Sequence, residues 1–172
     1  NPMKVYLIGF MASGKTTVGE KLAKVLDFNF LDLDQYIEHK HSKPIKVIFE
    51  VWGETRFREI ESQALREVAT LNGNYVIASG GGTSCFYNSI DFMNKNGLTV
   101  YLKMEVAELV SRLIEAKNDR PLLWGKTKDE LTDYILRVLD ERKKYYEKAK
   151  VTINASNVDV EQLAATIRSV EV

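Results

Sequence analysis

Five short runs of apolar and β-branched residues alternate with longer segments of helical periodicity along this 172-residue chain. The runs read KVYLIGF, FNFLDLD, NYVIAS, LTVYLKM and VTINA. Strands separated by helices form βαβ units, in which the strands are parallel and helices cover both faces of the sheet. The pattern therefore predicts the α/β class, with three layers (α/β/α) around a mainly parallel sheet in a single domain.

Helical periodicity is clearest in three of the intervening segments. One apolar stripe comprises Val18, Leu22, Val25 and Leu26, and another comprises Phe57, Ile60, Ala64, Val68 and Leu71. Thr127 and Glu130 have capping-box spacing, which predicts a long helix from there to about Ala149. Residues 115 to 130 include the least regular stretch, so we expect a lid or exposed loop there.

Composition narrows the range of partners. The 24 basic and 24 acidic residues cancel, so no overall field attracts nucleic acid or an anionic membrane. No apolar run reaches the roughly 20 residues that a membrane helix needs. Cys85 is the single cysteine, which rules out an internal disulfide and a cysteine metal cluster and favours a cytoplasmic protein. An anionic ligand must therefore be bound by a local site.

The stretch from Gly9 to Thr16 matches the phosphate-binding pattern G-x-x-x-x-G-K-[ST] between a predicted strand and a predicted helix. Small residues allow backbone N–H groups to surround phosphate oxygens at the positive end of a new helix. Lys15 would bring a charge to the terminal phosphates, and the Thr16 hydroxyl could join a Mg²⁺ shell. The alternative is a tight strand-to-helix turn that needs small residues.

Two further features lie where the second and third strands end. Asp32 and Asp34 lie at the end of the second predicted strand, on the same face because strand side chains alternate. One could order Mg²⁺ and the other accept a proton from a substrate hydroxyl, although Asp34 is also well placed as a helix N-cap. The SGGG stretch, Ser79 to Gly82, would let a ligand touch backbone directly, or it is a flexible turn.

Arg142 and Arg58 are out of place on their predicted helices. Arg142 interrupts the apolar stripe Leu131, Ile135, Val138, Tyr145 and Ala149, so its guanidinium needs an anion. That anion is either a ligand carboxylate or an internal acid such as Glu61. Arg58 lies in the first turns of a helix beginning near Gly53, where the helix dipole disfavours cations. Its alternative is a surface pair with Glu54 or Glu61.

Two more arginines flank the irregular stretch. Arg120 begins RPLLW and could close over a transferring phosphoryl group, or it is a solvated loop cation. Arg112, on the preceding helix, could flank an adenine ring or face water. The residues alone leave both alternatives open.

Taken together, the motifs GFMASGKT, LDLD, FREIE, SGGG, RPLL and ERKKYYEKA resemble those of the shikimate kinases, in the family's order and approximate spacing. The resemblance covers nearly the whole chain. It implies a nucleoside-monophosphate-kinase type of fold with strand order 2-3-1-4-5. The implied reaction is MgATP-dependent phosphorylation of the shikimate 3-hydroxyl, in the biosynthesis of aromatic amino acids, by a cytoplasmic monomer. Other readings are a kinase of another small hydroxy acid such as gluconate, or a non-catalytic nucleotide-binding module.

The resemblance also assigns roles to individual residues. Asp34 matches the candidate base, Arg58 and Arg142 match the pair that grips the shikimate carboxylate, and Asp32 matches a carboxylate that reaches Mg²⁺ through water. Residues of about 33–62 would bind shikimate, and residues of about 113–127 would form the lid. The substrate would also contact Gly80, Gly81 and Gly82. The residues implied for ATP are Ala12, Ser13, Gly14, Lys15, Thr16, Thr17, Arg112 and Arg120, with Thr16 also on the metal.

One departure from the family's pattern concerns the phosphate-binding loop. Its fourth position is often glycine in the family, whereas this chain has Ala12. Alanine is tolerated where the backbone φ angle is negative, so we expect a negative φ at Ala12.

Overall fold

The computed structural model describes residues 2–116 and 126–170. Its five strands form one parallel sheet in the order β2-β3-β1-β4-β5, which confirms the predicted class and strand order. All five predicted runs are strands, although each strand is shorter than its run. The strands are β1 Lys4–Ile8, β2 Asn29–Asp32, β3 Tyr75–Ala78, β4 Leu98–Lys103 and β5 Val151–Asn154.

Within the described residues, six α-helices lie between these strands and a seventh follows β5, and the helix Lys128–Tyr146 is α6. Thr127 and Glu130 form the predicted capping box at the start of α6, with N–H···O distances of 3.0 and 3.1 Å, and the helix ends at Tyr146, three residues before the predicted end. A single turn of 3₁₀ helix, Thr83–Cys85, follows β3. The helices are α1 Lys15–Leu26, α2 Leu33–His41, α3 Ile45–Val68, α4 Ser89–Asn96, α5 Val106–Ala116, α6 Lys128–Tyr146 and α7 Val160–Ser169.

Alternating side chains of the central strand divide the interior into two cores. Val5 and Leu7 of β1 pack with α1, α5, α6 and α7, whereas Tyr6 and Ile8 pack with α2, α3 and α4. All five side chains of β1 are buried, as expected for a strand covered on both faces. No helix among the described residues is long and apolar enough to cross a membrane.

Helix α3 contains a break that separates two helical stretches. Gly53 has φ 79° and ψ 172°, values outside the helical region that a glycine adopts readily. Arg58 therefore lies just after the start of the second stretch, as predicted. The second stretch carries Arg58 and Glu61, and the Glu61 carboxylate accepts a hydrogen bond from Thr83 in the 3₁₀ turn after β3.

Candidate active site

The phosphate-binding loop joins β1 to α1 at the carboxyl edge of the sheet. Lys15 folds back and donates hydrogen bonds to the carbonyls of Gly9 (2.6 Å) and Phe10 (2.9 Å), which holds the loop in a closed ring. Gly14, at the N-cap of α1, has φ 92° and supplies no side chain to the helix N-terminus. The N–H groups of the first turn therefore have no side-chain cap, as an anion-binding helix terminus requires.

Ala12 contradicts the expectation of a negative φ. Its φ is 67°, in the left-handed region where a Cβ costs roughly 1–2 kcal/mol. The loop must turn here for its N–H groups to face inward, and this turn determines the backbone of Ala12 whatever its side chain. Arg112 braces the strained turn, since its Nη1 donates to the Ala12 carbonyl at 3.2 Å.

The two aspartates after β2 are placed differently from the prediction. The strand ends at Asp32, whose Oδ1 accepts the Gln35 N–H at 3.1 Å and caps α2. The capping role considered for Asp34 thus belongs to Asp32. Asp34 is in the first turn of α2, so strand alternation does not bring the two carboxylates together. Both nevertheless line one cleft of about 240 Å³ with the phosphate-binding loop.

Asp32 also contacts that loop directly. The Thr16 hydroxyl donates to its Oδ2 at 3.0 Å, so a hydroxyl and a carboxylate adjoin at the mouth of the cleft. One carboxylate thus joins the start of α1 to the start of α2.

Asp34 is a titratable group of this cleft whose pKa is strongly perturbed. The pKa of its carboxyl is raised to about 6, chiefly by burial and in addition by the nearby charges of Glu61 and Asp32, while the charge of Lys15 opposes them. The deprotonated form still predominates at neutral pH. A carboxylate with such a pKa is a stronger base than an ordinary aspartate.

Arg58 is held in a buried network that differs from a surface pair. Its side chain is 12% exposed, and its Nη1 lies 2.9 Å from Oε1 of Glu61, which is itself 3% exposed. The second oxygen of Glu61 accepts the Thr83 hydroxyl at 2.7 Å. The guanidinium lies over the ring of Phe86, 4.5 Å from its centroid, and Glu54 is a more distant partner at 3.7 Å.

Arg142 extends from α6 towards the phosphate-binding loop and the glycines after β3. Its Nη1 is buried without a hydrogen-bond partner among residues 2–116 and 126–170. Glu61, the internal acid considered for it, is bonded to Arg58 instead. The guanidinium lies 5.8 Å from the centroid of the Phe10 ring, beside the phosphate-binding loop. A buried guanidinium N–H group of this kind is suited to an anion that enters the cleft.

The three glycines after β3 explain why the two arginines can come so close to backbone. A Cβ at Gly81 would lie 3.0 Å from Nη1 of Arg142, and one at Gly82 would lie 2.6 Å from Nη1 of Arg58. At Gly80 a Cβ would lie 3.0 Å from the Glu61 carboxylate and 3.4 Å from that of Asp34. The stretch is therefore a wall that charged side chains touch directly, and not merely a flexible turn.

On the other side of α1, a second cleft is lined by Ser13, Gly14 and Arg112 together with Ala155 and Val158. Arg112 is paired with Glu108 at 3.2 Å, and its guanidinium would lie 3.5 Å from a Cβ at Gly14. It thus contacts the loop, while 39% of its side chain remains exposed. Arg120 and most of the predicted lid lie outside the described residues.

The family model for shikimate kinase matches residues 11–170 of this chain. The chain belongs to the shikimate kinase family. Among curated relatives, the shikimate kinase of Parabacteroides distasonis is 44% identical over 155 residues, which cover 90% of this chain and 89% of that protein. The shikimate kinase of Phocaeicola vulgatus is 41% identical over 167 residues, covering 96% and 95%.

Solved structures of the family agree with the fold. The shikimate kinase from Bacteroides thetaiotaomicron is 39% identical and superposes with a TM-score of 0.89, covering 96% of each chain. The Acinetobacter baumannii shikimate kinase in complex with shikimate is 35% identical, with a TM-score of 0.83 over 98% of this chain and 92% of that one. As a member of the shikimate kinase family, the chain is an ATP-dependent kinase.

Three residues of this shikimate kinase site were not assigned to it from the sequence. The sequence suggests Glu61 only as a possible partner of an arginine, although its spacing of four residues after Phe57 and three before Ala64 places it on the apolar stripe and indicates that it is buried. Thr83 bonds Glu61, and Tyr146 donates to the Gly81 carbonyl at 2.5 Å. The sequence gives no sign of these two contacts, because they depend on how the loop after β3 meets α3 and α6.

Proposed function

We propose that this chain transfers the γ-phosphoryl group of MgATP to the 3-hydroxyl of shikimate, giving shikimate 3-phosphate and ADP. The observation that carries the proposal is the convergence of Arg58 and Arg142 on consecutive glycines beside Asp34, at the mouth of a phosphate-binding loop. Two guanidinium groups suit a carboxylate, and Asp34 suits a hydroxyl on the same small ring.

The nucleotide would occupy the loop from Ala12 to Thr17. Lys15 would exchange its bonds to the carbonyls of Gly9 and Phe10 for bonds to the terminal phosphates. Arg112 lies beside the second cleft, where it would flank the adenine ring. Arg120 would contact the phosphates, as the family resemblance implies.

Magnesium would lie where Thr16 meets Asp32. A hydroxyl and a carboxylate are oxygen ligands of the kind that Mg²⁺ prefers, and Mg²⁺ usually combines one or two such groups with water and phosphate oxygens. The absence of a cluster of three or more His, Cys, Asp or Glu ligands in the described residues agrees with that mode. The bound ion would neutralise charge on the phosphates, with Thr16 as a ligand and Asp32 acting through water.

Asp34 would orient the acceptor hydroxyl and take its proton. Its pKa of about 6 leaves the carboxylate ionised at neutral pH and more basic than an exposed aspartate. Because phosphoryl transfer depends chiefly on positioning and charge neutralisation, a carboxylate aimed at one hydroxyl supplies most of what the acceptor side needs.

The substrate carboxylate would be gripped by Arg142 and Arg58. Each arginine has a buried nitrogen without a hydrogen-bond partner in the described residues, Nη1 of Arg142 and Nε of Arg58, but the charge of Arg58 is partly neutralised by Glu61. We therefore expect Arg142 to contribute more to binding of the carboxylate. The Gly80–Gly82 backbone would form the floor beneath the ring.

We further propose that the enzyme acts as a monomer in the cytoplasm, with segments of about 33–62 and 113–127 as the shikimate-binding part and the lid of a single domain. The family resemblance implies the monomer. Sedimentation velocity on the purified protein tests it, since a dimeric species at working concentration would contradict it.

Coupled ADP release with MgATP tests the reaction, with shikimate, gluconate or no acceptor. We expect release that depends on shikimate, and release with gluconate alone would refute the acceptor. Arg142→Ala should raise the shikimate KM far more than the ATP KM. Arg137→Ala is the matched control, because Arg137 is an exposed arginine on the same helix and should leave both KM values unchanged. Equal changes of both KM values in Arg142→Ala would indicate a structural role.

A further inference from the structure

Tyr146 is a buried hydroxyl donor that joins α6 to the glycine wall. Its side chain is fully buried at the last residue of α6, stacked on Tyr101 with ring centroids 4.9 Å apart. Its hydroxyl donates to the Gly81 carbonyl at 2.5 Å. Burial raises the pKa of this phenol well above its usual range, so the hydroxyl remains protonated and able to donate at every working pH.

Tyr146 and Arg142 hold the same glycine from two sides. They are four residues apart, so their side chains lie on one face of α6. Arg142 rests against Gly81, where a Cβ would lie 3.0 Å from its Nη1, while Tyr146 holds the Gly81 carbonyl. Because the peptide group is planar, fixing this carbonyl also fixes the direction of the next N–H group, that of Gly82.

We propose that Tyr146 is a positioning residue for the acceptor: its hydroxyl holds Gly81 so that this glycine and the Arg142 guanidinium keep the arrangement that receives the substrate carboxylate. The inference rests on the proposed function, in which Arg142 binds that carboxylate. Within the described residues, Nη1 of Arg142 has no hydrogen bond that would fix it. Packing against Gly81 and the direct interaction of the guanidinium with the Tyr146 side chain therefore keep Arg142 in place before the substrate arrives.

Tyr146→Phe removes the hydroxyl and keeps the ring and its stacking on Tyr101. We expect the shikimate KM to rise roughly three- to tenfold, the range that the loss of one hydrogen bond gives. The ATP KM and kcat at saturating shikimate should stay within about twofold. A purely structural tyrosine would lower stability and leave the ratio of the two KM values unchanged, and that result would overturn the proposal.

Tyr6→Phe is the matched control. Tyr6 is also fully buried, but its hydroxyl has no hydrogen-bond partner among the described residues and lies outside the site. Removing it should leave both KM values unchanged. If Tyr6→Phe raised the shikimate KM as much as Tyr146→Phe, general loosening of the core would explain both effects and the proposal would fall.

A double-mutant cycle with Arg142→Ala tests whether Tyr146 changes the shikimate KM through Arg142. If Tyr146 acts through the placement of Arg142, Tyr146→Phe should change the shikimate KM little once Arg142 is absent. The same factor in both backgrounds would overturn the proposal. Gly81→Ala provides an independent approach that keeps the tyrosine, and it should also raise the shikimate KM because its Cβ crowds Arg142. An unchanged KM in Gly81→Ala would equally refute it.

Kinetics of the wild-type protein distinguish failure of the proposed reaction from failure of the proposed role of Tyr146. If it releases no ADP in response to shikimate, the proposed function fails, and the role of Tyr146 fails with it. If the wild type phosphorylates shikimate and Tyr146→Phe keeps the wild-type KM, only the role of Tyr146 is refuted.

Discussion

Replacing Asp34 by asparagine should make the free protein more stable at neutral pH while abolishing turnover. The folded chain raises the pKa of this carboxyl from 3.8 to about 6, mainly by burying it. Above pH 6 the folded state therefore carries a charge that an unfolded chain would solvate better. As the pH falls from 6 towards 3.8, the folded state takes up the proton first, and this cost disappears.

The magnitude follows from the two pKa values. Each pH unit between them is worth about 1.4 kcal/mol, so the carboxylate destabilises the fold by at most about 3 kcal/mol at pH 7.5. Asp34 is only partly buried and faces a cleft open to water, which screens the charge. We therefore expect a gain in the free energy of unfolding of about 1–3 kcal/mol for Asp34→Asn at pH 7.5. Below about pH 4 the gain should fall to less than roughly 1 kcal/mol.

Urea denaturation at the two pH values measures this difference. Asp159→Asn is the matched control, because Asp159 caps α7 away from this cleft and asparagine caps a helix about as well as aspartate, so its effect should be small at both pH values. The reasoning is refuted if Asp34→Asn is no more stable than the wild type at pH 7.5. It is also refuted if the gain is the same at both pH values, since a pH-independent gain cannot come from the ionised carboxyl.

Three further predictions concern the acceptor side and the loop. kcat/KM for shikimate should fall about tenfold per pH unit below pH 6 as Asp34 is protonated. Glu61→Gln should move this acidic limb of the pH–rate profile to lower pH, because it removes a charge that raises the pKa of Asp34. An acidic limb at the same or a higher pH in this variant would contradict the charge effect assigned to Glu61. Gly82→Ala should raise the shikimate KM at least about tenfold with little change in the ATP KM, because its Cβ would lie 2.6 Å from Nη1 of Arg58. Wild-type KM values in steady-state kinetics would mean that the Arg58 side chain moves aside freely. Ala12→Gly should raise the free energy of unfolding by roughly 0.5–1 kcal/mol by relieving the left-handed alanine, and unchanged urea denaturation would refute strain there.

Local patterns were sufficient to predict the sheet and the phosphate-binding loop. A strand buried on both faces leaves an uninterrupted apolar run, and β1 is such a strand. The phosphate-binding loop follows β1 directly, so the sequence alone shows that the motif lies between a strand and a helix. The capping box at Thr127 is equally local, because both its bonds join residues three apart.

The start of α2 was not predicted correctly from the local sequence pattern. Asp32 and Asp34 were predicted to share a face of an extended strand, but Asp32 turns the chain by accepting the Gln35 N–H, and helix begins at Leu33. The cleft receives both carboxylates through a different geometry. Similarly, the sequence predicts a negative φ at Ala12, whereas the turn of the phosphate-binding loop gives this residue a positive φ.

The arginines required tertiary information. Periodicity showed that Arg58 and Arg142 were out of place, and Glu61 was a possible partner for either one. The structure assigns Glu61 to Arg58, which is three residues away on the same helical stretch. Arg142 approaches from α6 and meets Gly81, a contact between residues 61 positions apart that no local pattern predicts.

The glycine wall has a consequence for resistance to inhibitors. A carboxylate-bearing compound bound at this wall would contact the same groups that we propose for binding the acceptor. A side chain at residue 80, 81 or 82 would displace the compound, but it would also push against Glu61 and Asp34, against Arg142, or against Arg58. Few substitutions at these three positions could therefore exclude such a drug and leave a working kinase.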